Sequence, residues 1–148
     1  MDIAIQLLAS CIGTLGFGVL FNVRGKKLLW ATIGGFLTWG LFLLLAPVFP
    51  SEPIRYFIVS MVSTVYAEVL ARCLKTPACT FCIVTLVPLV PGGALYRTTT
   101  LALSGQVDRF LPQLIYTLEL AVALSLGIVV ITAATRFWNK LRQKNPVH

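Results

Sequence analysis

Charged residues are scarce in this sequence, at 11% of its 148 positions, whereas soluble domains carry about 25%. Histidine is almost missing, because the one histidine is the final residue, His148. The few acidic residues are scattered and do not form a catalytic acid–base group. So few polar side chains cannot cover a water-soluble globule. We therefore expect an integral membrane protein that is not an enzyme and that holds no cofactor and no metal.

The four cysteines do not outline a disulfide framework. Cys79 and Cys82 have the CxxC spacing of a redox pair or of half a zinc site. However, they lie in an apolar segment, and no second CxxC pair accompanies them. We interpret them as small apolar side chains that fill space in a helix.

Five apolar stretches are each long enough to cross a bilayer as a helix, which takes about 20 residues. They cover residues 3–21, 28–47, 53–71, 78–103 and 112–135, and mean hydropathy over the whole chain is +0.88. The sequence therefore predicts an all-α integral membrane protein with five transmembrane helices. Residues 1–148 would form a single polytopic domain embedded in the lipid bilayer.

The basic residues alternate with these five stretches. Nine of the twelve follow the first, third or fifth stretch: Arg24, Lys26, Lys27, Arg72, Lys75, Arg136, Lys140, Arg142 and Lys144. Because basic residues accumulate on the cytoplasmic side, we expect the N-terminus outside and the C-terminus in the cytoplasm, in the inner (cytoplasmic) membrane. The same distribution argues against nucleic-acid binding, since no single basic face results.

The fourth stretch is interrupted by Val-Pro-Leu-Val-Pro-Gly-Gly, residues 87–93. Pro88 and Pro91 lack the amide hydrogen that a helix needs, and Gly92 and Gly93 permit backbone angles that other residues avoid. We expect two half-helices, about 78–87 and 94–103, with a break near the bilayer midplane. Such breaks mark binding sites in many secondary transporters; an ordinary proline kink is the alternative.

The second half-helix would present free amides and a partial positive charge to an anion. We expect the amides of Gly93 and Ala94 to hold a carboxylate, with Tyr96 or the hydroxyls of Thr98–Thr100 completing the site. Arg97 would either add positive charge or extend to the outer surface. The expected ligand is thus a small molecule that carries a carboxylate.

Two acidic residues lie within the predicted spans. Counted at 1.5 Å per residue, Arg97 and Glu119 lie roughly 9 and 10 Å below the outer boundary, so we expect them to form an ion pair. Glu119 is also a candidate proton carrier, and the two roles compete. Glu68 precedes Arg72 by four residues, which favours a helical ion pair near the cytoplasmic face; proton coupling is the alternative for Glu68.

Two motifs resemble the threonine/serine exporter family, in its short second-half subunit type. They are Gly-Val-Leu-Phe-Asn-Val at 18–23 and Val-Pro-Leu-Val-Pro-Gly-Gly at 87–93 followed by Tyr96. The resemblance runs from about residue 17 to 138. It implies export of small carboxylate-bearing metabolites, threonine and serine or, in some members, dicarboxylates, driven by the proton gradient. It also implies a companion membrane subunit.

The residues carried over from the family pattern are Phe21, Asn22, Pro88, Pro91, Gly92 and Tyr96. Arg24 stands where the family form has proline, which leaves the turn after the first span open. Asn22 is either a polar contact or a helix cap, and we favour the cap. The predicted function is a subunit of a secondary exporter; a non-transporting assembly subunit and a passive pore are the alternatives.

Overall fold

The structure is a computed structural model that describes residues 3–144. His148 lies outside the described residues, as do the side chains of Arg142 and Lys144. Within the described range the chain is helical and forms no strand. The elements in order are α1 (Ile3–Leu20), α2 (Lys26–Leu44), α3 (Glu52–Cys73), α4 (Ala78–Leu86), a 3-10 turn (Val87–Leu89), α5 (Gly92–Leu103) and α6 (Val107–Lys144).

Helices α1, α2, α3 and α6 are each long and apolar enough to cross a membrane. The pair Ala78–Leu89 and Gly92–Leu103 meets the same criteria together and is bent by 60° at the break, which brings the number of candidate spans to as many as five. The prediction of an all-α membrane protein with a discontinuous fourth span is therefore confirmed.

The last helix differs from its prediction. It begins at Val107, and Pro112 lies inside it rather than at its start. A proline this near the N-terminus removes a single helical hydrogen bond, to the Asp108 carbonyl, so the helix tolerates it. At 1.5 Å per residue the 38 residues of α6 extend about 57 Å, well beyond a hydrocarbon core of about 30 Å.

Small residues set the distances between the packed helices, as is usual in membranes. The most extensive packing joins α3 to α6, followed by α1 with α2 and α3 with α4. At Gly127 on α6, an added Cβ would lie 2.8 Å from the Phe57 carbonyl oxygen and would also clash with Ser60. At Gly35 on α2 it would clash with Thr14 on α1. These backbones therefore approach too closely for any larger residue.

Asn22 forms the end of α1. Its φ of 58° is left-handed, its amide donates to the Val19 carbonyl at 2.9 Å, and the Val23 amide donates to the Gly18 carbonyl at 2.9 Å. These two bonds are those of a Schellman motif, in which asparagine is a common substitute for glycine. Asn22 is thus the helix cap that we favoured, and the turn forms with Arg24 in place of proline.

Candidate functional site

The break in the fourth span is shorter than predicted. Val90 is extended (φ −61°, ψ 125°) between the 3-10 turn and α5, and α5 begins at Gly92, two residues earlier than Ala94. The reason is local: Pro91 caps the helix, and the Leu95 amide donates to the Pro91 carbonyl at 3.0 Å. The first helical turn therefore runs from Pro91 to Leu95 and already contains Ala94.

Two amides at the start of α5 are available to a ligand. The Gly92 amide is used, since it donates to the Val90 carbonyl at 2.7 Å. The amides of Gly93 and Ala94 find no acceptor among residues 3–144. They are among the four amides that the first turn of any helix leaves unpaired.

Nothing in the fold requires glycine at positions 92 and 93. Neither residue has a left-handed φ, and a Cβ at either position would meet no atom within 4 Å. The glycines therefore leave open space beside the two free amides. Such space lets another molecule approach the backbone closely.

A cavity of about 420 Å³ lies at this open space. It falls within the range of small-molecule sites, about 300–1,000 Å³. We call it the break cavity. Of the residues that the sequence predicted for the substrate site, those lining it are Pro88, Pro91, Gly92, Gly93, Ala94 and Arg97. The other lining residues are Val90 together with Trp39 and Phe42 from α2, Glu52 and Tyr56 from α3, and Gln113, Tyr116 and Leu120 from α6.

Three of the predicted site residues do not line this cavity. Tyr96 is 73% exposed on another face of α5. Thr98 is buried against α6, where its hydroxyl lies 2.9 Å from that of Thr117. Asn22 caps α1. Arg97 lies one turn after Gly93 on the cavity side of α5, whereas the Thr98 side chain is turned toward α6 and the Tyr96 side chain toward the exposed side.

The hydroxyls of Thr99 and Thr100 are not available to a ligand in the break cavity either. Each bonds the carbonyl four residues earlier in its own helix, at 2.9 Å in both cases. Neither residue lines the cavity.

The predicted Arg97–Glu119 ion pair does not form. In the described part of the chain the one ion pair is that of Arg55 and Glu52, at 3.5 Å. Arg97 lines the break cavity, whereas Glu119 is exposed in a separate apolar groove with Pro53 and Leu126. Equal depth in the membrane did not suffice to predict a contact, because it does not determine how α6 is rotated about its own axis relative to α5.

The predicted pair of Glu68 and Arg72 does not form either. Glu68 lines a second cavity, on the side of the break away from Glu52, and Arg72 lines a different groove beside Trp138. The favourable spacing of four residues was overridden because the two side chains turn toward different neighbours.

Sequence reasoning missed the carboxylate of this site, Glu52. Its neighbour Arg55 is only 9% exposed and lies 4.6 Å above the ring of Phe42, a cation–π contact. One carboxylate oxygen of Glu52 pairs with Arg55. The other accepts a hydrogen bond from the Tyr116 hydroxyl on α6. Glu52 thus joins α3 to α6 at the cavity wall. Its position at the start of the third span gave no sign of this contact, which joins residues 64 positions apart.

An aromatic group forms another wall of the break cavity. Trp39 stacks on Phe42 with ring centroids 5.1 Å apart, and Phe42 meets Tyr56 edge-on at 5.2 Å. The indole nitrogen of Trp39 is buried and has no hydrogen-bond partner among residues 3–144. It is therefore a further unused donor beside the cavity. The sequence did contain a sign of this role: Trp39 lies deep in the second span, whereas tryptophans that anchor a helix lie near the membrane surface.

The break cavity thus combines two kinds of polar group. The start of α5 supplies hydrogen-bond donors, namely the amides of Gly93 and Ala94 and the guanidinium of Arg97. Helix α3 supplies a carboxylate, Glu52. A small molecule with one anionic and one cationic group matches both.

A discontinuous span that opens on a polar cavity, within a bundle of membrane helices, is the arrangement of a secondary transporter. The comparison with protein families agrees with this class. The model of the family described as threonine/serine exporter, ThrE, matches residues 6–134. The chain therefore belongs to the threonine/serine exporter family, as the two sequence motifs indicated. No match was found among curated proteins or among solved structures.

Proposed function

We propose that this chain is a subunit of a secondary exporter and that it binds threonine, serine or a similar small amino acid in the break cavity. The observation that carries the proposal is the presence in one cavity of unpaired amides, Arg97 and the carboxylate of Glu52. The substrate carboxylate would bind the amides of Gly93 and Ala94 and the guanidinium of Arg97. Its ammonium group would bind Glu52.

Glu52 favours amino acids over dicarboxylates as substrates. A second carboxylate placed near Glu52 would meet a like charge, whereas an ammonium group would meet an opposite one. Arg55 offsets part of this charge, but it does not line the cavity and so offers no direct contact to a bound anion.

Proton coupling would follow from competition at Glu52. The titratable or charged groups around this carboxylate are Arg55 and Tyr56 on α3, Tyr116 on α6 and Arg97 on α5. A proton on Glu52 would remove the charge that holds the ammonium group. A proton arriving from outside would thus release the substrate there, and its transfer to the cytoplasm would drive export. Glu119 lies in neither cavity, so we do not assign it this role.

A companion membrane subunit would cover Glu119. Glu119 is exposed on α6, at a depth that the sequence places in the outer half of the bilayer. A charged side chain that faces lipid at this depth is costly. We propose that a basic residue of the companion pairs with Glu119 in the groove of Pro53, Phe57 and Leu126. We retain the orientation predicted from the basic residues, with the N-terminus outside the cytoplasmic membrane.

Efflux from preloaded cells tests the proposed function. Labelled threonine, serine and succinate would be followed with this chain alone and together with its companion, with and without a proton gradient. We expect gradient-dependent efflux of threonine and serine, and its loss when Pro91 and Gly92 are replaced. Efflux that survives these replacements in an intact complex would indicate an assembly subunit, and efflux indifferent to the gradient would indicate a passive pore.

A further inference from the structure

A second cavity, of about 690 Å³, lies on the other side of the break. It is bounded by α3, α4 and α6 and is mainly apolar, with Glu68 and Arg136 among its lining residues. Neither of these two takes part in an ion pair within the described residues. This cavity therefore repeats the combination of the break cavity, one glutamate from α3 and one arginine.

One row of side chains on α6 passes from the break cavity to the second cavity. Tyr116 and Leu120 line the break cavity, and Leu124, Ile128 and Thr132 line the second cavity. Successive members are four residues apart, so each is a neighbour of the next along a row that winds slowly round the helix. The two cavities are thus consecutive along α6.

Helix α3 shows the same continuity. Glu52 and Tyr56 line the break cavity, and Thr64 and Glu68 line the second. Within each pair the two residues are four apart and so are neighbours on the helix surface. Helices α3 and α6 therefore each supply lining residues to both cavities, one cavity after the other along the helix.

The two cavities together extend across the depth of a bilayer. The lining residues of α6 run from Gln113 to Arg136. Over this interval a helix rises about 35 Å at 1.5 Å per residue, compared with a hydrocarbon core of about 30 Å. The lining residues of the two cavities, taken together, therefore cover the depth of a bilayer within this one chain.

Val90 stands where the two cavities meet. Among residues 3–144 it is the one residue that lines both. It is the extended residue of the break and is half exposed, whereas Leu86 and Leu89 before it in the chain and Leu120 on α6 are buried. An apolar side chain at the extended residue between two helical segments is well placed to close the connection to a polar solute.

We propose that the second cavity is the cytoplasmic entry site for the exported amino acid and that Val90 is the barrier between the two sites. Glu68 binds the ammonium group of the solute there, and Arg136 binds its carboxylate. This inference rests on the proposed function for the identity of the solute. The alternative occupant of so apolar a cavity is a lipid chain.

The native thiols of Cys79 and Cys82 provide the first test, because both line the second cavity. In the full chain with Cys11, Cys73 and Cys79 replaced by serine, a charged, membrane-impermeant thiol reagent should modify Cys82 in inside-out vesicles but not in right-side-out ones. Saturating threonine should slow this modification severalfold, and a Glu68→Gln change should abolish the protection. Modification that threonine leaves unchanged, or that occurs from the opposite face, would overturn the assignment.

A second test examines the barrier without relying on any substrate. In a cysteine-free chain carrying Gly93→Cys, the reagent should react from the outside and not from the cytoplasmic face. Adding Val90→Ala should admit it from the cytoplasmic face as well, whereas Val90→Leu should not. Equal reaction from both faces in the presence of Val90, or no change with Val90→Ala, would refute the barrier. If these results hold but no amino acid is exported, the path stands and the proposed function fails.

Discussion

The hydroxyl of Tyr116 on α6 donates a hydrogen bond to the carboxylate of Glu52 on α3, across the wall of the break cavity. The other oxygen of Glu52 faces Arg55 at 3.5 Å. An acidic residue at the first position of a membrane span is thereby fixed in place from two helices. A carboxylate has about four lone-pair sites, so Glu52 keeps the capacity to bind an ammonium group.

Tyr116→Phe tests whether this hydrogen bond positions Glu52 for the substrate. Without this bond the Glu52 carboxylate is no longer held toward the cavity, so we expect the Kd for threonine to rise severalfold, by about 1 kcal/mol. Tyr66→Phe is the matched control, since its hydroxyl bonds the Trp30 carbonyl at 2.8 Å away from the cavity. Both variants should lose a little thermal stability in detergent. Equal loss of affinity in the two would contradict the assignment.

Gly93→Ala separates binding from folding. The added methyl group meets no protein atom within 4 Å, and alanine favours a helix over glycine by about 1 kcal/mol. The fold should therefore be unharmed, while the methyl group keeps a carboxylate away from the free amides. We expect threonine affinity to fall about tenfold or more, by the loss of one hydrogen bond to a charged group.

Gly16→Ala is the control for this change, because Gly16 on α1 also has open space and lines neither cavity. It should leave binding unchanged. Unaltered threonine binding by Gly93→Ala would show that the start of α5 does not hold the substrate.

Glu119→Gln tests the proposed contact with the companion subunit. We expect it to weaken co-purification of the two subunits, because the pairing of opposite charges in an apolar groove would be lost. Threonine binding to chains that remain assembled should persist, since Glu119 is not a cavity residue. Glu68→Gln, at a second acidic position outside this groove, is the control. Undiminished co-purification of the Glu119→Gln variant would count against this surface.

Asn22→Ala tests the structural assignment of Asn22. A left-handed residue other than glycine or asparagine costs about 1–2 kcal/mol, so the alanine variant should melt at a lower temperature, whereas Asn22→Gly should match the wild type or exceed it. Neither should change the threonine affinity once folded. A specific loss of affinity in the glycine variant would instead support a substrate contact.

The features that the sequence predicted correctly are those determined locally. Apolar length indicates a membrane helix whatever surrounds it, and Pro88, Pro91 and Gly92 interrupt a helix through their own backbone properties. For the same reason the cap at Asn22 was foreseeable, since it depends only on the six residues of the turn.

The features that it missed depend on how helices are rotated against one another. Depth along the chain placed Arg97 and Glu119 at one level, yet Glu119 faces a groove on another side of α6. Glu52 and Trp39 belong to the site only because α2, α3 and α6 meet there. Hydropathy carries little information on such rotation, because lipid-facing and buried positions are both apolar.

The most direct test of the central claim is threonine binding to the full-length chain and its Glu52→Gln variant. Radiolabelled threonine would be titrated against the purified protein, with whatever subunit remains bound, in the presence of unlabelled threonine or succinate as competitor. We expect saturable binding by the wild type, with threonine a far better competitor than succinate, and a Kd raised about tenfold or more by Glu52→Gln, as for the loss of a charged contact. Unchanged affinity in Glu52→Gln, or preferential displacement by succinate, would contradict an amino-acid site in the break cavity.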